Sequence, residues 1–212
     1  HYSPRRVEEI NNGWHSTEAK SAEQALRSGD VEALINTWEN DSYSHYRQEK
    51  SVWNLYLLAQ LPREMALTFW LRINEKKHLF AGEDYFLSIL GLDTLPGLLL
   101  AFSHHPKETF PLILNFGATE LALPVARVWR RFTAQRDLAR QWILQWPEHT
   151  ATALIPLVFT KPSDNSEAAL LALRLLYEQG HGELLQTVAN RWQRTDVWPA
   201  LEQLLKLGPI EI

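Results

Sequence analysis

Apolar side chains return every three to four positions along nearly the whole chain, which is the period of an α-helix. In "EAALLALRLLY", residues 167–177, Ala168, Leu171, Leu175 and Leu176 share one side. Leu170, Leu173 and Tyr177 widen that stripe, so more than one neighbour should cover this helix. No stretch alternates polar and apolar residues as a half-buried strand does, and β-branched residues nowhere cluster. The pattern predicts an all-α chain of about a dozen helices, most of roughly 10–15 residues, joined by short loops.

The punctuation is helical as well. Ser28-Gly29 reads as a helix stop, and Asp30 then precedes "VEALINTW", where its carboxylate would accept the free amide protons of the first turn. Gly180 and Gly182 flank a break between "LLALRLLYEQ" and "ELLQTVANRW".

A longer period runs through these helices. "LLAQLPREMALTFWL", "LAFSHHPKETFPLIL" and "WILQWPEHTATALIP" set prolines at 62, 106 and 147, spaced 44 and 41 residues apart. Each time an apolar helix precedes the proline, Glu or His stands two residues after it, and another apolar helix follows. Proline suits the first helical position, where its missing N–H would be unpaired anyway. Glu64, Glu108 and Glu148 would then lie in the first turn, where the helix dipole favours negative charge. The step therefore reads as a helix starter used as a hinge between two antiparallel helices. A spacing of 41–44 residues lies in the HEAT/armadillo range. The predicted architecture is a HEAT/armadillo-like α-solenoid of antiparallel helix pairs, with residues 1–212 as a single helical-repeat domain. Its repeat hinges would fall near Pro62, Pro106 and Pro147, and a non-repetitive helical bundle is the rival.

Composition narrows the function classes. Hydrophobic residues make up 45% and charged residues 22%, enough apolar matter for a packed core. Nine tryptophans would serve as rigid core fillers or as an aromatic surface. A formal net charge of −4 provides no global pull toward nucleic acid or anionic lipid. The absence of cysteine removes disulfides, thiolate nucleophiles and thiolate metal sites, and fits a reducing compartment. The chain opens "HYSPRR", without an initiator methionine or a signal-peptide core, and is expected to be a fragment of a larger protein. Its longest apolar run, "LPGLLLAF", falls short of the roughly 20 residues of a membrane span, so a cytoplasmic location away from the membrane is expected.

Residues 138–192 carry a family resemblance. The "W-x-x-x-x-P-E-H" step from Trp142 to His149, "LIP" at Leu154–Pro156, Lys161-Pro162, "AALLALRLL" and "GHGELL" follow one another in an order that resembles the MolR family. Its members are large bacterial proteins described as molybdate metabolism regulators, with a domain of unknown function and often a WGR domain. The resemblance covers about a quarter of the chain and implies helical repeats inside a multidomain bacterial cytoplasmic protein. It brings over no site residue, and no "WGR" string occurs here.

Recognisable catalytic chemistry is missing. No nucleophile elbow, Walker-type phosphate loop, G-x-G-x-x-G or H-E-x-x-H occurs. His104 and His105 stand with Glu108 near a proline that interrupts the helix, and they read as an inter-helix turn rather than a zinc site. His149 and His181 read as surface residues at helix starts or loops. Molybdate, an oxyanion, would suit any helix N-terminus and so has no particular address.

One local charge bias stands out in "VARVWRRFTAQRDLARQW", residues 125–142. Arg127, Arg130, Arg131, Arg136 and Arg140 face a single Asp137. Arg127 and Arg131 share a helix face, as do Arg136 and Arg140, so four guanidiniums would line one ridge. Trp129 and Trp142 lie nearby, and arginine beside an exposed ring suits phosphate and base. In the structural alternative the arginines shield a buried stripe and pair with Glu120, Asp137 or Glu167. The 41–44 residue period, the missing catalytic signatures and the fragmentary ends predict a non-catalytic scaffold or interaction module, without cofactor or metal, binding a protein partner or other domains of its own chain. The resemblance implies that it belongs to a MolR-like regulator. A nucleic-acid-binding array in a transcriptional regulator, using Arg127, Arg131, Arg136, Arg140, Trp129 and Trp142, is the alternative. A HEAT-like DNA glycosylase built on Trp129, Asp137 and Trp142 is the second.

Overall fold

In the computed structural model of the chain, residues 24–25, 27–40, 59, 61–75, 83–192, 194 and 196–207 are described. Among them the structure is all-helical and contains no strand. The chain falls into two compact units, His1–Pro106 and Lys107–Ile212.

The first unit holds α1 (Val31–Asn40), α2 (Arg63–Glu75), α3 (Glu83–Leu90), a 3-10 turn (Gly91–Thr94) and α4 (Leu95–His104). Asp30 caps α1 as expected: Oδ1 accepts the Ala33 N–H at 2.9 Å. The preceding stop is also made, with Gly29 at φ 72 and the Asp30 N–H bonded back to Ala25 O. The core gathers on Trp70 of α2, whose ring is buried and tilted on Phe86 of α3 at 5.2 Å. The indole N–H donates to Thr94 O at 2.9 Å, so the polar edge of the ring is satisfied where water is excluded. Gly97 of α4 gives the ring its room, since a methyl there would stand 2.4 Å from Trp70 Cδ1. Arg63 fastens the start of α2 to the end of α3, donating to Leu90 O at 2.7 Å and to Asp93.

The 22 residues Glu83–His104 are long and apolar enough, by length and composition, to cross a membrane. They do not form one α-helix here. Gly91, at φ 61, breaks them into α3 and α4, and Phe86, Leu87, Leu90, Leu98, Ala101 and Phe102 are buried inside the unit.

Helix α5 (Pro106–Ile113) starts on the last residue of the first unit, and the second unit holds the rest of it with α6 (Thr119–Arg131), a 3-10 turn (Thr133–Gln135), α7 (Arg136–Gln145), α8 (Pro147–Val158), α9 (Asp164–Glu178), α10 (Gly182–Asn190) and α11 (Val197–Lys206). Helix α9 carries the broad stripe, and it packs on α6, α7, α8, α10 and α11, so all residues from Leu171 to Leu176 are buried. A capping box between Ser163 and Ser166 starts it. It ends at Gly180, φ 89, where the His181 N–H reaches Leu176 O and the Gly180 N–H reaches Tyr177 O. Proline also occurs inside helices, at Pro111, Pro124 and Pro156.

A helix begins at or just after each of Pro62, Pro106 and Pro147, with Glu64, Glu108 and Glu148 in the first turns. Counted from each proline, positions +3, +4 and +7 are buried: Met65, Ala66 and Phe69, then Thr109, Phe110 and Ile113, then Thr150, Ala151 and Leu154. The residues before two of the prolines share one backbone conformation, φ −133 and ψ 62 at His105, φ −121 and ψ 55 at Trp146. Both N–H groups close the preceding helix, on Ala101 O and Trp142 O. Proline forces this exit, because its ring disfavours helical geometry in the residue before it. The apolar helix expected before Pro62 lies outside the described residues.

Between successive prolines the described α-helices number three, where a pair was expected. Pro62 to His105 holds α2, α3 and α4 and Pro106 to Trp146 holds α5, α6 and α7, while α8, α9, α10 and α11 follow Pro147 among the described residues. The extra breaks come from Gly91 in the first stretch and from the extended residue Phe132 in the second.

Candidate functional site

The arginine-rich stretch spans the C-terminal half of α6 and most of α7. Helix α6 ends in Arg130 and Arg131, which complement the negative end of its dipole. Helix α9 begins with Asp164 and Glu167 in its first turn, complementing the positive end of its own. As α6 packs on α9, the two ends meet and these charges pair.

Arg130 donates to Asp164 at 3.0 Å and to Glu167. Arg131 also reaches Asp164, while Arg127 Nε donates to Asn165 Oδ1 at 2.9 Å. The Arg130 hydrogen bond, and then the Arg131 charge, hold the Asp164 carboxyl below its ordinary range. Asp164 in turn raises the Arg130 guanidinium above its usual value. Three guanidiniums thus meet two carboxylates and an amide, and the local positive charge is largely answered from within.

The remaining candidates lie on α6 and α7. Arg136 places its guanidinium 6.0 Å from the centroid of the half-buried Trp129 ring, a cation–π contact worth about 0.5–1 kcal/mol at such a site. Arg140 donates to Gln179 Oε1 at 3.1 Å, tying α7 to the far end of α9. Trp142 requires a correction, because it is fully buried and offers no ring to a ligand. Its indole N–H is shared between Ile113 O at 3.1 Å and Phe116 O at 2.9 Å, so it pins the turn between α5 and α6. Asp137, in the first turn of α7, is exposed, so it and Trp142 do not share a surface.

The sequence reading named Glu167 among the acceptors but missed Asp164, which binds two arginines, and gave Arg130 no special role. A signal was present in "SDNSE", where a serine followed by two acids marks a helix start that carries negative charge and so can receive arginines.

His104 is half-buried and pairs through Nδ1 with Asn74 O at 3.2 Å, which makes Nδ1 the protonated nitrogen. The His104 and His105 rings stand edge to face at 6.4 Å, and Glu108 is exposed. His149 packs edge-on against Trp146 at 5.7 Å. Among the described residues no three His, Cys, Asp or Glu side chains converge as a metal site would require.

Over its 212 residues the chain is 90% identical to "Uncharacterized protein YehI" of Escherichia coli (strain K12), and it spans 18% of that protein's length. No family model matches the chain. No solved structure matches it.

Proposed function

We propose that this chain is a helical-repeat scaffold: a non-catalytic HEAT/armadillo-like α-solenoid whose faces hold a protein partner or another part of a longer polypeptide. The observation that carries the reading is the likeness of the bends at His105-Pro106 and Trp146-Pro147, in backbone angles and in closing hydrogen bond. The buried register that follows Pro62, Pro106 and Pro147 supports the same reading. Three helices per interval favour the armadillo side of the pattern over two-helix HEAT units. Such units stack because none can bury its apolar face alone.

The fit of the arginines to α9 supports a structural role for them and leaves the nucleic-acid alternative without a specific observation. The resemblance of residues 138–192 to the MolR family extends the proposal to a cytoplasmic regulator connected with molybdate metabolism.

Excising residues 106–146 tests the repeat, because His105 would then join Pro147 and recreate the same bend. A solenoid keeps its helical content and unfolds cooperatively after losing one unit. A bundle loses its core, and a non-cooperative, dye-binding product would sink the proposal. Cross-linking from the exposed Lys107, Lys161 and Lys206 in the full-length relative tests the scaffold role. Links to distant parts of that protein or to one partner are expected, and links confined to the 212 residues would count against it.

A further inference from the structure

We draw no further inference here: the strongest candidate, the exposed apolar stripe of Tyr85, Ile89 and Leu92 along α3 and the 3-10 turn that follows it, carries nothing because nothing in the structure shows what covers it.

Discussion

Gly117 lies against the six-membered ring of Trp146, so closely that a methyl group on its Cα would stand 2.4 Å from Cε3 and 2.6 Å from Cζ3. The ring has little freedom to withdraw. Its N–H donates to Leu114 O at 3.1 Å, and His149 packs edge-on against it.

Gly117→Ala is therefore expected to destabilise the second unit by about 1–3 kcal/mol, the usual cost of overpacking. That exceeds the roughly 0.4–1 kcal/mol that alanine would contribute by restricting the unfolded chain. Gly182 is the control, since its added methyl would meet Tyr177 at an ordinary 3.4 Å. Gly182→Ala should be neutral or stabilising, by up to about 1 kcal/mol. Urea denaturation of both variants measures the contrast, and equal midpoints would refute the close fit at Gly117.

Trp142 joins two costs in one residue. Trp142→Phe keeps most of the ring but strips the donor from Ile113 O and Phe116 O, for an expected loss of about 1–3 kcal/mol. Trp142→Ala also opens a cavity and should lose about 3–5 kcal/mol. Thermal unfolding followed by circular dichroism should rank parent, Phe and Ala in that order. An alanine variant as stable as the parent would mean that this tryptophan is not in the core.

What the sequence made legible was local. Asp30, Gly29 and Gly180 act within a few residues of themselves, and a carboxylate cap or a positive-φ stop works the same way in any fold. The breadth of the α9 stripe was legible too, because burial on several sides leaves no polar face to write. Trp142 was not, since an amphipathic helix says which residues are apolar and not which neighbour arrives to cover them. The Arg130–Asp164 pair spans 34 residues, and only the packing of α6 on α9 brings it together. The break between α3 and α4 was hidden for a related reason: it rests on the conformation of Gly91, which composition does not state.

Acid should weaken the clasp between α6 and α9 through Asp164. Its carboxyl titrates lower in the folded chain than in the unfolded one, where about 3.9 is usual. The stabilisation is thus complete above the unfolded value and disappears as pH falls through the folded value. Asp196 beside Arg194 is shifted in the same direction and adds to the same limb. Asp164→Asn should be less stable than the parent near neutral pH, and the two should converge as pH falls through the folded value of Asp164. Urea midpoints across that range measure it, and a gap that persists in acid would remove Asp164 as its cause. Raised salt should narrow the gap at neutral pH, because the pair is exposed.

Arg127 and Arg131 are the exposed guanidiniums of α6, and both already have acceptors on α9. Residues 107–212 contain as many acidic as basic side chains, so no surplus charge assists them. The Arg127→Glu, Arg131→Glu double variant should elute from a DNA column at low salt together with the parent. Phosphate contacts dominate non-specific binding, and reversing two of them would shift elution clearly. Earlier elution of a variant with unchanged circular dichroism would revive the nucleic-acid reading.

The last prediction concerns how α11 is held. Arg174, in the middle of α9, is buried with only 8% of its surface exposed. Its Nε and Nη2 both donate to Leu204 O, at 3.2 and 2.8 Å, in the last turn of α11. Carbonyls there have no partner within the helix, and a cation answers the negative end of the dipole. Arg174→Met would keep the stem's volume while leaving the Leu204 carbonyl without these two donors, at a cost of about 1–3 kcal/mol. The loss should be local, because α11 sits at the margin of the unit and packs on α9 and α10. Hydrogen exchange should accelerate in residues 197–206 by about 5- to 150-fold, as that free energy implies, while α8 keeps its protection. Unchanged exchange in α11 would mean that apolar packing through Leu201 and Leu205 holds the helix without the arginine.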